Sequence, residues 1–349
     1  MTAPDIDIAA DFTDSIGRAV TACAGLPAPE AATRLAADGL LGVIAAEAVG
    51  GLALPLPHAM PVASAAGAGL CTFPLVDGLL AARALATGHP EVAEAIIAGR
   101  ETAVVGWRGA LERSGDELSG PLGPLAWVEG ARWLLAPVTN EGIALIDLAA
   151  CDCVVAPAIS LDMDRRMVTL RLSGAVTVAP FIDPAATQRL REEAVLLRAA
   201  EMEGCASACF EQARVHVEGR RQFGRPLSAF QAIRHELARH VLALAGLRRT
   251  LDGAARSAGT PEGSLAAHAG LALAAEQTPL VAEAAIQLNG AMGFTWDVPL
   301  HRHLRRIRAL SDVMDATAAR DWLAERLIAD TLPLDPAGAA ADLGTKKRA

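Results

Sequence analysis

Lysine is almost missing from this 349-residue chain, occurring only at Lys346 and Lys347. Arginine therefore supplies nearly all the positive charge, and its planar fork is the better partner for bidentate phosphate contacts. No apolar run reaches the roughly 20 uninterrupted residues that a bilayer span requires. Although 52% of the residues are hydrophobic, Glu47, Asp77 and Arg83 interrupt the alanine-rich N-terminal stretches. A membrane span is not expected. Residues 1–14 hold acidic groups and no basic cluster leading into an apolar segment, so neither a secretory signal nor a transit peptide is expected and the expected location is cytoplasmic. A net charge of −9 argues against general affinity for nucleic acid, which rests on clustered cations.

The six cysteines (Cys23, Cys71, Cys151, Cys153, Cys205 and Cys209) lack a disulfide-framework spacing, which suits reduced, buried thiols. Neither close pair has histidines nearby in metal-ligand spacing. His235 and His240 are five residues apart, so on a helix they diverge by about 140°. No metal is expected. A Walker-type glycine-lysine loop and a serine nucleophile elbow are both absent.

The texture of the chain changes twice. Residues 1–100 are rich in alanine and leucine, with helical spacing at Ile16, Ala19, Val20 and Cys23 and a loop around Gly50-Gly51 and Pro55 to Pro61. Residues 101–180 hold short apolar runs, and Val168 to Leu172 alternates apolar with polar, the period-two mark of a half-buried strand. From 181 to 332 helical periodicity returns. One stripe runs through Met202, Ala206, Cys209, Ala213 and Val217, and another through Phe230, Ile233, Leu237, Val241 and Leu244. Pro226, Pro261, Pro279 and Pro299 are placed at helix starts or stops. Residues 333–349 read as a frayed tail. The expected class is α+β, mainly α: an N-terminal helical domain, a shortened middle β-domain and a C-terminal four-helix bundle.

Two motifs give this outline a family. Arg220-Arg221-Gln222-Phe223-Gly224-Arg225-Pro226-Leu227, followed by Phe230-Gln231-Ala232-Ile233 and His235, resembles the arginine-x-glutamine-phenylalanine-glycine segment of acyl-CoA dehydrogenases. Gln287 to Asp297 resembles the same family's glutamine- and glycine-rich turn, and an arginine-rich helix with Arg302, Arg305, Arg306 and Arg308 follows it. The resemblance implies FAD as cofactor, an acyl-CoA thioester as substrate and electron-transfer flavoprotein as acceptor. It implies that Arg220, Gln222 and Phe223 contact FAD bound largely by a neighbouring subunit. It also implies that Gln231, Gln287, Gly290 and Gly293 lie near the adenosine and pyrophosphate end. A pyrophosphate needs cationic or amide donors, and glycine lets backbone N–H groups approach it.

The family's reaction needs a carboxylate to remove the α-proton of the thioester. Its two alternative glutamate positions fall here on Ala194 and Met314, so both lack an acid. Glu193 and Asp315 are the displaced candidates, with Glu192 and Asp312 beside them; otherwise these four read as solvated surface charges. The segment Leu125 to Gly130 stands where the family's flavin-ring strand belongs, without its pattern. His301 and His303 read as surface histidines or phosphate neighbours. The implied function is a subunit of a heteromeric dehydrogenase for bulky CoA thioesters such as steroid side chains, in which a homologous subunit supplies the glutamate. The competing readings are an active homo-oligomer with a displaced base, a non-enzymatic CoA-binding or scaffold protein, and an oxidase or monooxygenase on the same fold.

Overall fold

The first hundred residues form short helices, several of them opened by prolines. These are α1 (Ile8–Thr21), α2 (Ala28–Ala37), α3 (Met60–Ala68), α4 (Leu75–Leu85) and α5 (Pro90–Ile97). Proline lies in the first turn of α2, α3 and α5, where its missing N–H has no intrahelical partner to lose. The computed structural model describes residues 8–260 and 262–331. Pro261 and the expected tail lie outside the described residues.

The strands follow as β1 (Ala103–Val105), β2 (Glu112–Ser114), β3 (Glu117–Ala126), β4 (Trp133–Val138), β5 (Gly142–Asp147), β6 (Asp152–Pro157) and β7 (Met167–Ile182). The sheet runs β1-β4-β5-β7-β3-β2, with β6 also on β7. Long β7 joins the two halves: its first part pairs with β3 and β6, its end with β5. Val168, Leu170 and Leu172 are buried and Thr169 and Arg171 exposed, following the alternation.

Helix α6 (Pro184–Gly219) is 36 residues long. The Asp183 carboxylate caps it, accepting from the N–H groups of Ala185 and Ala186 at 2.9 Å each. The hairpin strands β8 (Arg221–Gln222) and β9 (Arg225–Pro226) come next, then α7 (Gln231–Ser257), α8 (Gly263–Asn289), α9 (Leu300–Val313) and α10 (Ala316–Thr331). The first stripe, Met202 to Val217, is buried throughout. The second is not: Phe230, Ile233 and Leu237 are half-buried and Val241 is exposed. The buried face of α7 instead carries His240, Leu244, Leu247 and Leu251. Val241 lies one residue, about 100° of turn, off that face.

Pro279 lies inside α8 rather than at its end. The buried Thr278 hydroxyl donates to the Ala274 carbonyl at 2.7 Å, and packing on both sides holds the helix through the break. One core joins the N-terminal helices to the bundle, and a second fills the β-domain around Val104, Leu134, Ile146 and Leu170. Four thiols are buried as expected, whereas Cys151 and Cys153 are half-exposed on or beside β6.

Candidate functional site: an outward motif face and an inner cavity

Because α7 runs antiparallel to α6 and to α8, which pack directly on each other, the last turns of α6 and α8 and the first turn of α7 share one end of the bundle. Both motifs are there. Phe223 and Gly224 take positive φ, 52° and 77°, to turn the two-residue hairpin between Gln222 and Arg225. That turn puts Phe223 in solvent at 89% exposure, edge-on to Phe230 at 6.2 Å. Arg225 covers the other ring contact of Phe230 at 4.0 Å. Arg220, Gln222 and Gln231 are exposed, and the Arg220 guanidinium pairs with nothing among the described residues. Gln287 is exposed on the last turn of α8, and Gly290 turns the chain with φ 61°. Gly293 is buried, and a Cβ there would meet the Ile286 carbonyl oxygen at 2.5 Å. A side chain at that position is therefore excluded by space.

The arginine-rich helix α9 does not join this face as a phosphate cradle. Arg302 binds Asp164 bidentately at 2.8–2.9 Å, Arg308 binds Glu283 at 2.9 Å, and Arg306 is buried against Asp162 and Glu201. His303 is buried rather than on the surface, and His301 packs edge-on to Trp296 at 4.7 Å.

The two positions that lack an acid do not share surroundings. Ala194 has no exposed surface and belongs to the core. Met314 lines a cavity of about 390 Å³ whose walls also include Trp107, Glu192, Val195, Leu271 and Asp315. Glu192 and Glu193 are buried, contrary to their reading as surface charges. Glu193 turns from the cavity to Arg83 at 2.9 Å; burial pushes its carboxyl up, and the Arg83 charge offsets part of that. Glu192 faces the cavity and accepts from Gln188 at 3.2 Å. Asp315 lies at its mouth, 3.5 Å from Arg108, and Asp312 is 3.7 Å from the same guanidinium. The cavity thus gathers Met314, Asp315 and Glu192 and leaves out Ala194 and Glu193.

Trp107 and Asp77 carry no motif, and sequence reading gave them no role. Yet the Trp107 Nε1–H donates to Asp77 at 3.3 Å, and Asp77 accepts from Arg198 at 2.5 Å. Behind this indole, a slot of only about 20 Å³ remains between Val105, Leu125, Ala126, Arg165 and Arg198. That is room for about one water. The motif face, with exposed cationic and amide groups, suits the pyrophosphate end of FAD. The slot beside Leu125-Ala126 does not suit a flavin ring in this conformation.

Residues 184–312 match the family described as acyl-CoA dehydrogenase, C-terminal domain. The bundle segment of this chain is an acyl-CoA dehydrogenase C-terminal domain. The acyl-CoA dehydrogenase IpdE2 of Mycobacterium tuberculosis is 29% identical over 160 residues, 46% of this chain and 47% of that protein. The acyl-CoA dehydrogenase FadE34 of the same organism is 26% identical over 295 residues, 83% of this chain and 40% of that protein. The chain thus spans under half the length of these curated relatives. Among solved structures, a variant of the Tcur3481-Tcur3483 steroid ACAD superposes with TM-score 0.82 at 24% identity, covering 95% of this chain and 98% of that one. The ChsE4-ChsE5 complex from Mycobacterium tuberculosis gives TM-score 0.81 at 22% identity, covering 94% and 99%. The acyl-CoA dehydrogenase fold expected from the two motifs is therefore the fold of this chain.

Proposed function

We propose that this protein is a cytoplasmic subunit of an FAD-dependent acyl-CoA dehydrogenase that completes a cofactor site held mainly by a homologous subunit. The observation that carries the reading is the outward direction of the motif face. Arg220, Gln222, Phe223, Gln231 and Gln287 are all exposed at one end of the bundle, away from this chain's own cavity. Exposed guanidinium and amide groups with little to bind inside the chain suit a phosphate presented from outside. Gly290 and Gly293 keep the turn free of side chains beside them.

When bound, FAD supplies the hydride acceptor for α,β-dehydrogenation of an acyl-CoA thioester. The homologous subunit supplies the carboxylate that takes the α-proton, since Ala194 and Met314 cannot. Steroid-type CoA thioesters are the proposed substrate class, in line with the names of the Tcur3481-Tcur3483 structure. Electron-transfer flavoprotein is the proposed electron acceptor. The cavity beside Met314 favours one second reading, an active homo-oligomer. In that case Glu192 or Asp315, not Glu193, is the carboxylate in reach.

Visible absorbance and solution mass separate the two. The full chain is purified alone and after co-expression with a homologous acyl-CoA dehydrogenase subunit that keeps its glutamate. Flavin appearing only in a mixed oligomer supports the shared site. A yellow homo-oligomer that bleaches with acyl-CoA overturns it.

A further inference from the structure

The outer wall of the cavity of about 390 Å³ is a helix that little else holds. Between Ala316 and Ile328, α10 buries only Ala316 and Ala319; Trp322 and Leu323 are half-buried and every other residue is exposed. It packs on α8 and barely on α9. Ala318, Ala319 and Trp322 line the cavity, whose inner walls come from α6 and α8. The large contact that pins α10 is Trp322 stacked on His268 of α8, with ring centroids 4.5 Å apart and planes 27° from parallel. Both rings line the cavity, so the pin and the enclosed space share one surface.

Met314 and Asp315 alone join α9 to α10. Asp315 has φ 53°, a left-handed conformation that residues with a Cβ seldom take. Its carboxylate accepts from the Ala318 N–H at 3.2 Å, so it caps α10. Arg108, from the segment between β1 and β2, lies 3.5 Å from Asp315 and 3.7 Å from Asp312 on the last turn of α9. Both carboxylates are more than half exposed, and exposed ion pairs contribute little. Hinges are a few residues at element ends that absorb the backbone change. A segment with few buried apolar contacts opens at well below the free energy of global unfolding.

We infer that α10 is a lid on this cavity: it swings about Met314 and Asp315, and the Trp322–His268 stack is its latch. Arg108 steadies the hinge from the β-domain, on both sides of the turn. Undocking moves Ala318, Ala319 and Trp322 together and opens the outer wall. A helix of 16 residues is barely stable alone in water, so the undocked lid unwinds as a unit. A molecule enclosed beneath it binds the closed form and so holds the lid down. The inference rests on the proposed function only for the identity of that molecule, an acyl-CoA thioester; the movement belongs to this chain alone.

Amide hydrogen exchange of the full chain, followed residue by residue through α10 and α8 and corrected for sequence, tests the lid. The amides of Arg320 to Ile328 are expected to exchange at one common rate, roughly tenfold or more faster than those of Leu271 to Ala275 on α8. Trp322→Ala is expected to speed them about tenfold, including those ahead of residue 322, and to leave α8 unchanged. Trp322→Phe, which keeps a stacking ring, is expected to stay near the unaltered rate. If Trp322→Ala fails to fold, His268→Ala removes the latch from the other side and is expected to have the same effect. Octanoyl-CoA is expected to slow α10 exchange roughly tenfold at about ten times its Kd. A common rate that octanoyl-CoA leaves unchanged keeps the lid and counts against the acyl-CoA reading of the cavity. Rates that climb steadily toward Ile328 mean fraying and overturn the lid. Exchange of α10 only together with α8 overturns it as well, as does an α10 rate that loss of the latch leaves unchanged.

Discussion

Glu201 on α6 accepts a hydrogen bond from Arg165, just ahead of β7, at 2.7 Å, and neither side chain reaches solvent. The second Glu201 oxygen accepts from Arg198 at 2.7 Å, and Arg306 lies at 3.4 Å from the first. With Asp77 and Asp162, three carboxylates face three guanidiniums where the N-terminal helices, the β-domain and the bundle meet. Removing one charge leaves its partners buried and short of a counter-ion, a loss of about 3–5 kcal/mol. Glu201→Gln should lower stability by that order in urea unfolding, whereas Asp252→Asn, at the exposed Arg256 pair, should change it by less than about 1 kcal/mol. Burial pushes the Glu201 carboxyl up, but the charges of Arg165, Arg198 and Arg306 outweigh it and hold it at about 2, below the ordinary 4.5. A lowered carboxyl contributes fully above about pH 4.5 and loses that contribution as pH falls toward 2. The unaltered protein should therefore weaken through that window, and Glu201→Gln should weaken less steeply there.

Periodicity made much of the architecture legible. The alternation at Val168 to Leu172 and the stripe from Met202 to Val217 each follow from one local rule, burial of one face. The motif residues Arg220 to Phe223 and Gln287 to Gly293 were legible through their resemblance to acyl-CoA dehydrogenase segments; the positive φ at Gly290 and the absent Cβ at Gly293 are written in residue type, whereas the positive φ of Phe223 is not. The charge cluster was not legible, because its members come together only in the fold. Arg306 and Asp162 are 144 residues apart, so nothing local marks either as buried. On α7 a polar residue misled the reading: His240, satisfied by Glu236 at 2.9 Å, takes the inner position that apolar Val241 was expected to hold. Trp107 carries no motif, and its role as a wall depends on elements from all three parts of the chain.

Helices α3 and α6 touch at Gly67 and Gly204. A Cβ on Gly204 would come within 1.8 Å of the Ser64 carbonyl oxygen, and one on Gly67 within 1.9 Å of that of Glu201. Backbone cannot yield that far without parting the helices. Gly204→Ala should destabilise the protein by about 1–3 kcal/mol or more, read as a lower thermal midpoint. Gly246→Ala on α7 has open space around its Cβ and should gain up to about 1 kcal/mol from helix propensity. Equal effects at the two sites would mean that the close crossing is not what Gly204 provides.

His303 supplies a second pH dependence at higher pH. Burial, then the charges of Arg306 and Arg302, lower its pKa from 6.5 to about 4. A lowered folded pKa means that the neutral imidazole stabilises above the ordinary value and that this is lost as pH falls toward about 4. At pH 5 the difference of about 1.5 units corresponds to about 2 kcal/mol. Urea midpoints of the unaltered chain should therefore fall between pH 7 and pH 5, before Glu201 begins to protonate. His303→Gln should be less stable at pH 7 but nearly flat across that interval. A slope unchanged by the substitution would place the acid sensitivity elsewhere.

Arg220 allows binding to be separated from folding. Its side chain is exposed and contributes no pairing within the chain, so Arg220→Ala should leave the thermal midpoint of the isolated protein within about 0.5 kcal/mol of unaltered stability. In the proposed mixed oligomer, the same change should remove a charge-assisted contact to phosphate worth about 1.5–3 kcal/mol, an expected loss of roughly tenfold to a hundredfold in flavin affinity. Arg220→Lys keeps the charge but not the planar fork, and should fall between the two. Flavin content after dialysis, with solution mass as a control for assembly, measures both. Full flavin retention in an intact Arg220→Ala oligomer would remove Arg220 from the cofactor site. Loss of flavin with the mass unchanged would place its guanidinium on a cofactor held across the interface.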